Sequence, residues 1–250
     1  MSIINPLSEL TDQLKQLKLS GMERALSARN EEATSNQCSY TEFLSLLAQD
    51  EILERQQRGY ERRYRKANFK GAKTLNNFDF SFNPTINQKL VRDLATCRFI
   101  QEKVPVLIIG PCGTGKSHLA QALGHSALQQ GYDVVCTTQT KLSEEMQMAK
   151  ATHAYAKKLN AMAKIPLLII DDFALKPIKS PEDENLHELI AERYEQSSTI
   201  ITSNLAIDEW QQAFPNQLLG VATIDRLRHD AYQVILDGKS FRSHSNKKKK

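Results

Sequence analysis

Apolar residues near the start of the chain recur every three or four positions. Leu7, Leu10, Leu14 and Leu17 form one stripe along a helix. Ser20-Gly21 interrupts that pattern, and a second helix is expected from Met22 to about Ala33, followed by the polar stretch Thr34-Ser35-Asn36-Gln37. Ser39-Tyr40-Thr41-Glu42 has capping-box spacing and leads into Phe43, Leu44, Leu46 and Leu47, so a third helix starts there. It can run to about Lys66, roughly 40 Å at 1.5 Å per residue, with Gly59 as a candidate bend. From Lys70 to Asn83 the helical period is lost, and Phe78, Phe80 and Phe82 alternate with polar residues. That spacing suits packing at a domain edge, or a wall beside a bound base. Pro84 to Glu102 reads as one further helix through Ile86, Leu90, Leu94 and the Phe99-Ile100 pair.

The period then changes. Short apolar runs at 104–109, 134–137, 167–170, 199–202 and 233–236 alternate with helical patterns at 117–130, 141–163, 184–196 and about 216–229. Five strands joined by crossovers predict an α/β fold, a five-stranded parallel sheet with helices on both faces. Such sheets bind ligands beyond the carboxyl ends of their strands.

Two stretches at such ends carry chemistry. Gly110-Pro111-Cys112-Gly113-Thr114-Gly115-Lys116-Ser117 fits the phosphate-binding loop G-x-x-x-x-G-K-[ST], between an apolar strand and a helix beginning His118-Leu119-Ala120. Glycines let several N–H groups face one phosphate chain, and the following helix adds its positive end. Lys116 is expected to reach the β- and γ-phosphates of ATP, and the Ser117 hydroxyl to ligate Mg²⁺. His118 completes the expected nucleotide contacts. Leu167-Leu168-Ile169-Ile170-Asp171-Asp172 is a buried strand ending in two carboxylates, the pattern of a Walker B strand. Asp171 would hold Mg²⁺ through its water shell, and Asp172 would position or deprotonate the attacking water.

Of 250 residues, 40% are hydrophobic and 25% charged, which fits a globular protein. No run approaches 18 apolar residues, so no membrane partner is expected, and residues 1–10 lack the marks of a secretory signal. Cys38, Cys97, Cys112 and Cys136 form no C-x-x-C pair and read as reduced thiols of a cytoplasmic protein. The net charge of +4 is unevenly spread. Arg55, Arg58, Arg62, Arg63, Arg65 and Lys66 crowd the end of the third helix, with Tyr60 and Tyr64 between them. The excess points to a polyanion, with arginines on phosphates and tyrosines on sugars or bases. The alternative is a solvated face with Glu54–Arg58 and Glu61–Arg65 pairs. Lys150, Lys157 and Lys158 make a smaller basic run, and Lys239, Arg242 and Lys247 to Lys250 a basic tail.

Thr199-Ile200-Ile201-Thr202-Ser203-Asn204 adds a strand ending in polar residues. With the phosphate loop and the Asp-Asp strand it resembles the AAA+ ATPases, which implies that Asn204 polarises the attacking water. Leu168 to Phe173, Glu192 to Glu195, Ser203-Asn204-Leu205, Glu209-Trp210, Ile224 to Leu227 and Lys239 to Arg242 look like the IstB family, ATP-dependent helpers of bacterial transposition. The likeness takes in the leucine-rich start and Thr74 to Phe80, nearly the whole chain. DnaC-like helicase loaders share the core and are the close alternative.

The resemblance implies ATP bound between subunits of a homo-oligomer, with an arginine from a neighbour. Arg226 matches that position best, and Arg228 is the fallback. It implies duplex DNA and a cognate transposase as partners, and a DNA contact on the 141–164 segment. The expected domains are a helical DNA-binding and oligomerisation module at 1–70, an AAA+ ATPase at 71–240 and the basic tail at 241–250. Many AAA+ proteins carry Asp-Glu where this chain has Asp171-Asp172, so slow hydrolysis is expected. About 14 residues follow Leu236, so no full C-terminal helical lid is expected.

Overall fold

The computed structural model describes residues 6–238, which pack as two units, one ending at Arg62 and one beginning at Arg63. The basic tail lies outside the described residues.

The first unit contains α1 (Pro6–Gln16), α2 (Ser20–Ser35) and most of α3 (Tyr40–Lys66). Leu14, Leu26 and Leu47 form its buried centre, with Leu7, Leu19, Met22 and Phe43 against them. The capping box forms: Ser39 donates its N–H to Glu42 at 2.7 Å. Ser20-Gly21 does not end a helix but opens α2, and α3 passes through Gly59 unbroken. The reason for Gly21 is a close helix approach. A Cβ there would stand 2.6 Å from the Glu51 Cα on α3. Buried Glu51 accepts the Gly21 N–H at 2.6 Å and the Met22 N–H at 3.3 Å, and Arg55 donates to its other oxygen at 2.6 Å. A carboxylate from α3 thus caps the first turn of α2, satisfying donors that the helix itself cannot.

The second unit is the sheet. Its strands are β1 (Val106–Ile109), β2 (Val134–Thr138), β3 (Leu167–Phe173), β4 (Ser198–Ser203) and β5 (Tyr232–Ile235). They lie in the order β2-β3-β4-β1-β5, every pair parallel. The connecting helices are α4 (Gln88–Ala95), α5 (Arg98–Gln101), α6 (Lys116–Gln129), α7 (Gln139–Ala151), α8 (Tyr155–Ala163), α9 (Glu182–Arg193) and α10 (Gln217–Arg228). Two helices expected to be single are broken. Residues 84–102 divide at Cys97, which has φ 60°, and residues 141–163 divide next to His153, at φ 56°. Each break is a left-handed residue ending a helix, a position where glycine is the usual marker and is absent here. Leu107, Leu168, Ile170 and Ile201 are fully buried within the strands, and Trp210 packs on Phe173 with ring centroids 4.7 Å apart.

One buried charge holds the lower edge of this unit. Arg193, at 2% exposure, donates to Thr199 Oγ1 at 2.9 Å and to the carbonyls of Met162 (2.7 Å), Ala163 (3.2 Å) and Ile165 (2.9 Å), and also to that of Ser198. It ties the end of α8 to the starts of β3 and β4. Burial pulls its guanidinium down to about 9.

Candidate functional site

β1 ends at Ile109, and the loop that follows turns sharply under β5. A Cβ on Gly110 would lie 2.1 Å from the Leu236 carbonyl oxygen, so only glycine fits. Gly115, at φ 99°, is the N-cap of α6. Lys116 is 6% exposed, and its Nζ donates to the Pro111 carbonyl at 2.8 Å. Thr114 Oγ1 donates to the same carbonyl at 2.9 Å. The loop therefore folds around its own lysine, and the first residues of α6, Lys116 to His118, line the same hollow.

Two strands, β3 and β4, bring the second half of the site. Ser117 Oγ donates to Asp171 Oδ1 at 2.7 Å, and Thr202 Oγ1 donates to the same oxygen. Thr202 lies on β4, between β3 and β1 in the sheet. Its hydroxyl also accepts the Asp172 N–H at 3.1 Å. Asp172 has φ 57°, and the β3–β4 register shifts between Ile170 and Phe173. A bulge of this kind re-aims one side chain. Here it sends Asp171 inward at 8% exposure and Asp172 outward to line the hollow beside Asn204. Aspartate tolerates left-handed backbone better than longer side chains do.

The hollow is a cavity of ≈ 510 Å³. The phosphate loop from Cys112 to Ser117, with His118, lines it together with Phe78, Phe82 and Asn83. Gly110 and Pro111 shape the loop from beneath without lining the cavity. The donor set suits the expected ligands. A buried ammonium and helix N–H groups fit a phosphate chain. A hydroxyl in contact with a carboxylate supplies the hard oxygens that Mg²⁺ takes from protein alongside its own waters.

Other expected residues lie elsewhere. Arg226 is half-buried on α10 and donates to the Ala222 carbonyl at 2.9 Å, while Arg228 pairs with Asp208 at 3.2 Å. Neither lines the cavity of its own chain. On α3, Arg55 pairs with Glu51 and Arg58 with Glu54 at 3.0 Å, and Glu61 accepts from Gln57 at 2.9 Å. Arg62, Arg65 and Lys66 are exposed. Arg63 is half-buried and donates to the Leu128 carbonyl at 3.4 Å, and the Tyr64 ring lies 5.4 Å from the His125 ring and 6.1 Å from that of Phe69. Both side chains are half-buried against α6. Lys150 sits 4.8 Å over the Tyr155 ring, Lys158 pairs with Glu145 at 2.6 Å, and Lys157 is exposed. Sequence reasoning missed Thr202 as the link between the two aspartates, although it lay inside a strand already singled out. It also missed Asn83, whose Nδ2 donates to the Thr114 carbonyl at 2.7 Å.

The order of the sheet, the loop entering α6 and the paired carboxylates of β3 define a P-loop NTPase core of the AAA+ type. Solved structures agree on the fold. A structure of the replication initiator DnaA bound to AMPPCP and single-stranded DNA is 21% identical, with a TM-score of 0.57 over 72% of this chain and 55% of its own. The DnaC helicase loader is 20% identical, with a TM-score of 0.52 over 58% of this chain and 85% of its own. The chain belongs to the IstB-like ATP binding protein family, which matches residues 12–249. A Mycobacterium tuberculosis protein named for ATP binding in an insertion sequence is 35% identical over 97% of this chain and 96% of its own length. A Pseudomonas aeruginosa protein named for ATP binding in insertion sequence IS21 is 33% identical over 97% and 91%. Among the described residues no helix is long and apolar enough to cross a membrane.

Proposed function

We propose that this chain is an ATP-dependent helper of DNA transposition that assembles on duplex target DNA, recruits and stimulates its transposase, and hydrolyses ATP in the cytoplasm. The observation that carries the reading is the ≈ 510 Å³ cavity between the phosphate loop and the Asp-Asp strand, in a chain that belongs to an ATP-binding insertion-sequence family. The base lies against Phe78 and Phe82. The triphosphate lies along the N–H groups of the loop, with Lys116 at the β- and γ-phosphates. Ser117 and Asp171 would hold Mg²⁺, which neutralises charge on the transferring phosphoryl group. Asp172 takes the proton of the attacking water, and Asn204 orients that water from the end of β4. Arg226 acts in trans, on the nucleotide of a neighbouring copy. The worth of such an arginine is about 10³–10⁵ in rate, and its distance from its own chain's cavity supports a role across an interface.

DNA is held by Arg62, Arg65 and Lys66, with Arg55 and Arg58 beside them and Lys150, Lys157 and Lys158 as a second contact. These are cations for backbone phosphates, so target choice depends weakly on sequence. The helical module of residues 1–70 carries the first cluster and serves assembly, 71–240 form the ATPase, and 241–250 add a basic tail. The insertion-sequence relatives, alike over nearly their full length, favour transposition over helicase loading.

The test is light scattering on wild type and Lys116→Ala, with duplex DNA, with and without ATP. Large complexes that need ATP, duplex DNA and an intact Lys116 are the expected result. Assembly only on single strands or with a replicative helicase would instead make the chain a loader. Turnover is then measured in a mixture of Lys116→Ala and Arg226→Ala chains. Partial recovery of activity in the mixture is expected, because an interface in which the Arg226→Ala chain binds the nucleotide and the Lys116→Ala chain supplies the arginine has both parts intact.

A further inference from the structure

The segment from Thr74 to Asn83 is fastened at one end to the phosphate loop and at the other to α6. At the far end, Asn83 Nδ2 donates to the Thr114 carbonyl at 2.7 Å. At the near end, His118 Nε2 lies 3.1 Å from the Thr74 carbonyl oxygen. A carbonyl only accepts, so Nε2 carries the proton. Between the two ends, the Phe78 ring stands edge-on to the His118 ring, centroids 5.4 Å apart at 88°. Phe78 also closes on the loop itself: its Cε2 would be 3.1 Å from a Cβ placed on Gly115. Asp79 keeps the segment turned by accepting the Ser81 N–H at 2.9 Å.

His118 lies one residue beyond Ser117, in the first turn of α6. Lys116 and Ser117 are the residues that serve the phosphates in the reading above, and Phe78, which lines the same cavity, walls the base in that reading. A single imidazole therefore touches both the element that serves the phosphates and a residue that walls the base.

We propose that His118 is a positioning residue, a latch that holds the Thr74–Asn83 strap against α6, so that a purine nucleoside triphosphate is bound by base and phosphates together. It acts through the Thr74 carbonyl and the Phe78 ring. Without the latch the strap keeps only its Asn83 and Phe78 contacts to the phosphate loop, so the base adds less affinity. The inference rests on the nucleotide reading and goes beyond it, because it assigns the coupling between base and phosphates to one side chain.

Isothermal titration calorimetry of the full chain with Mg–ATP and with Mg–tripolyphosphate, which lacks the base, tests it. Loss of one hydrogen bond and its ring contact in His118→Ala is expected to weaken ATP about tenfold and tripolyphosphate much less. His118→Gln places an amide N–H where Nε2 was and is expected to recover most of the loss. Phe78→Leu keeps an apolar wall without the ring, and should lower the ratio of ATP to tripolyphosphate affinity about threefold. The latch is overturned if His118→Ala weakens both ligands equally, if it weakens neither, or if His118→Gln is no better than alanine. Should wild type bind neither ligand, the nucleotide reading itself falls, a result separate from the failure of the latch.

Discussion

Thr202→Val removes one oxygen from the centre of the site and keeps the shape of the side chain. Thr202 is fully buried, and its hydroxyl makes two bonds. It donates to the Asp171 carboxylate and accepts the Asp172 N–H at 3.1 Å. A hydrogen bond to a charged group contributes about 1.5–3 kcal/mol net, and a buried donor left unsatisfied costs about 1–3 kcal/mol. The Asp172 N–H sits at an exposed residue, so water can reach it and the low end of the second range applies. The valine methyl returns about 0.8 kcal/mol of burial. The balance is a loss of about 2–3 kcal/mol, or about 5–10 °C in Tm for a unit of this size.

The assay follows from Trp210. It is the one tryptophan of the chain and is fully buried in the sheet unit, so its fluorescence reports unfolding of that unit. Urea titration of wild type, Thr202→Ser and Thr202→Val should rank the three in that order, because serine keeps the oxygen and loses only a methyl. Turnover of Mg–ATP by the valine variant, measured well below its midpoint, should also fall, since Asp171 loses one of its two hydroxyl partners. The argument from the hydroxyl is refuted if valine is as stable as wild type or if serine costs more than valine.

Arg193→Leu strips the partners from four carbonyl oxygens and should cost at least about 3 kcal/mol in the same fluorescence titration; Arg193→Lys should recover less than half, because an ammonium cannot reproduce the planar fork. Gly21→Ala sets propensity against packing: alanine gains about 0.8–1 kcal/mol in a helix, but its Cβ would meet the Glu51 Cα at 2.6 Å. The contact is with backbone, so circular dichroism melts of a fragment ending near Arg62, if it folds alone, or of the full chain otherwise, should show destabilisation. Glu51 gives a pH dependence. Burial pushes its carboxyl up, but Arg55 and the Gly21 and Met22 N–H groups outweigh burial and hold it below the ordinary glutamate value. Its contribution is therefore complete above the unfolded-state pKa and is lost as pH falls through the lower folded-state value. Glu51→Gln should flatten that acid limb in a pH series of melts, and an unchanged limb would remove Glu51 as its source.

The parts of the molecule legible in the sequence are those where one physical demand dominates. β1, β3 and β4 are buried, so they read as plain apolar runs, and the loop between β1 and α6 must carry glycines and a lysine at set positions. The capping box at Ser39 was legible because both partners are local. The breaks at Cys97 and His153 were not, since a left-handed residue other than glycine leaves no mark. The bulge at Asp172 was hidden for the same reason. The contacts of Arg63 and Tyr64 with α6 were not legible either, because a charge or ring count along α3 does not tell which side chains turn toward that helix. The His118–Thr74 and Asn83–Thr114 links join residues 44 and 31 positions apart, beyond any local pattern.

The sheet order explains why the site has the parts it has. β4 lies between β3 and β1. Side chains two apart on a strand share a face, and beyond the strand end at Ser203 the chain carries that direction on to Asn204. Thr202 therefore meets Asp171 inside the sheet, and Asn204, two residues on, reaches the cavity that Asp172 lines. The inserted strand supplies both the hydroxyl that fixes the inward carboxylate and the amide that faces the outward one. A residue at 202 without a hydroxyl would leave the two aspartates with no shared reference, and the division of labour proposed for them, one toward metal and one toward water, would lose its geometric basis.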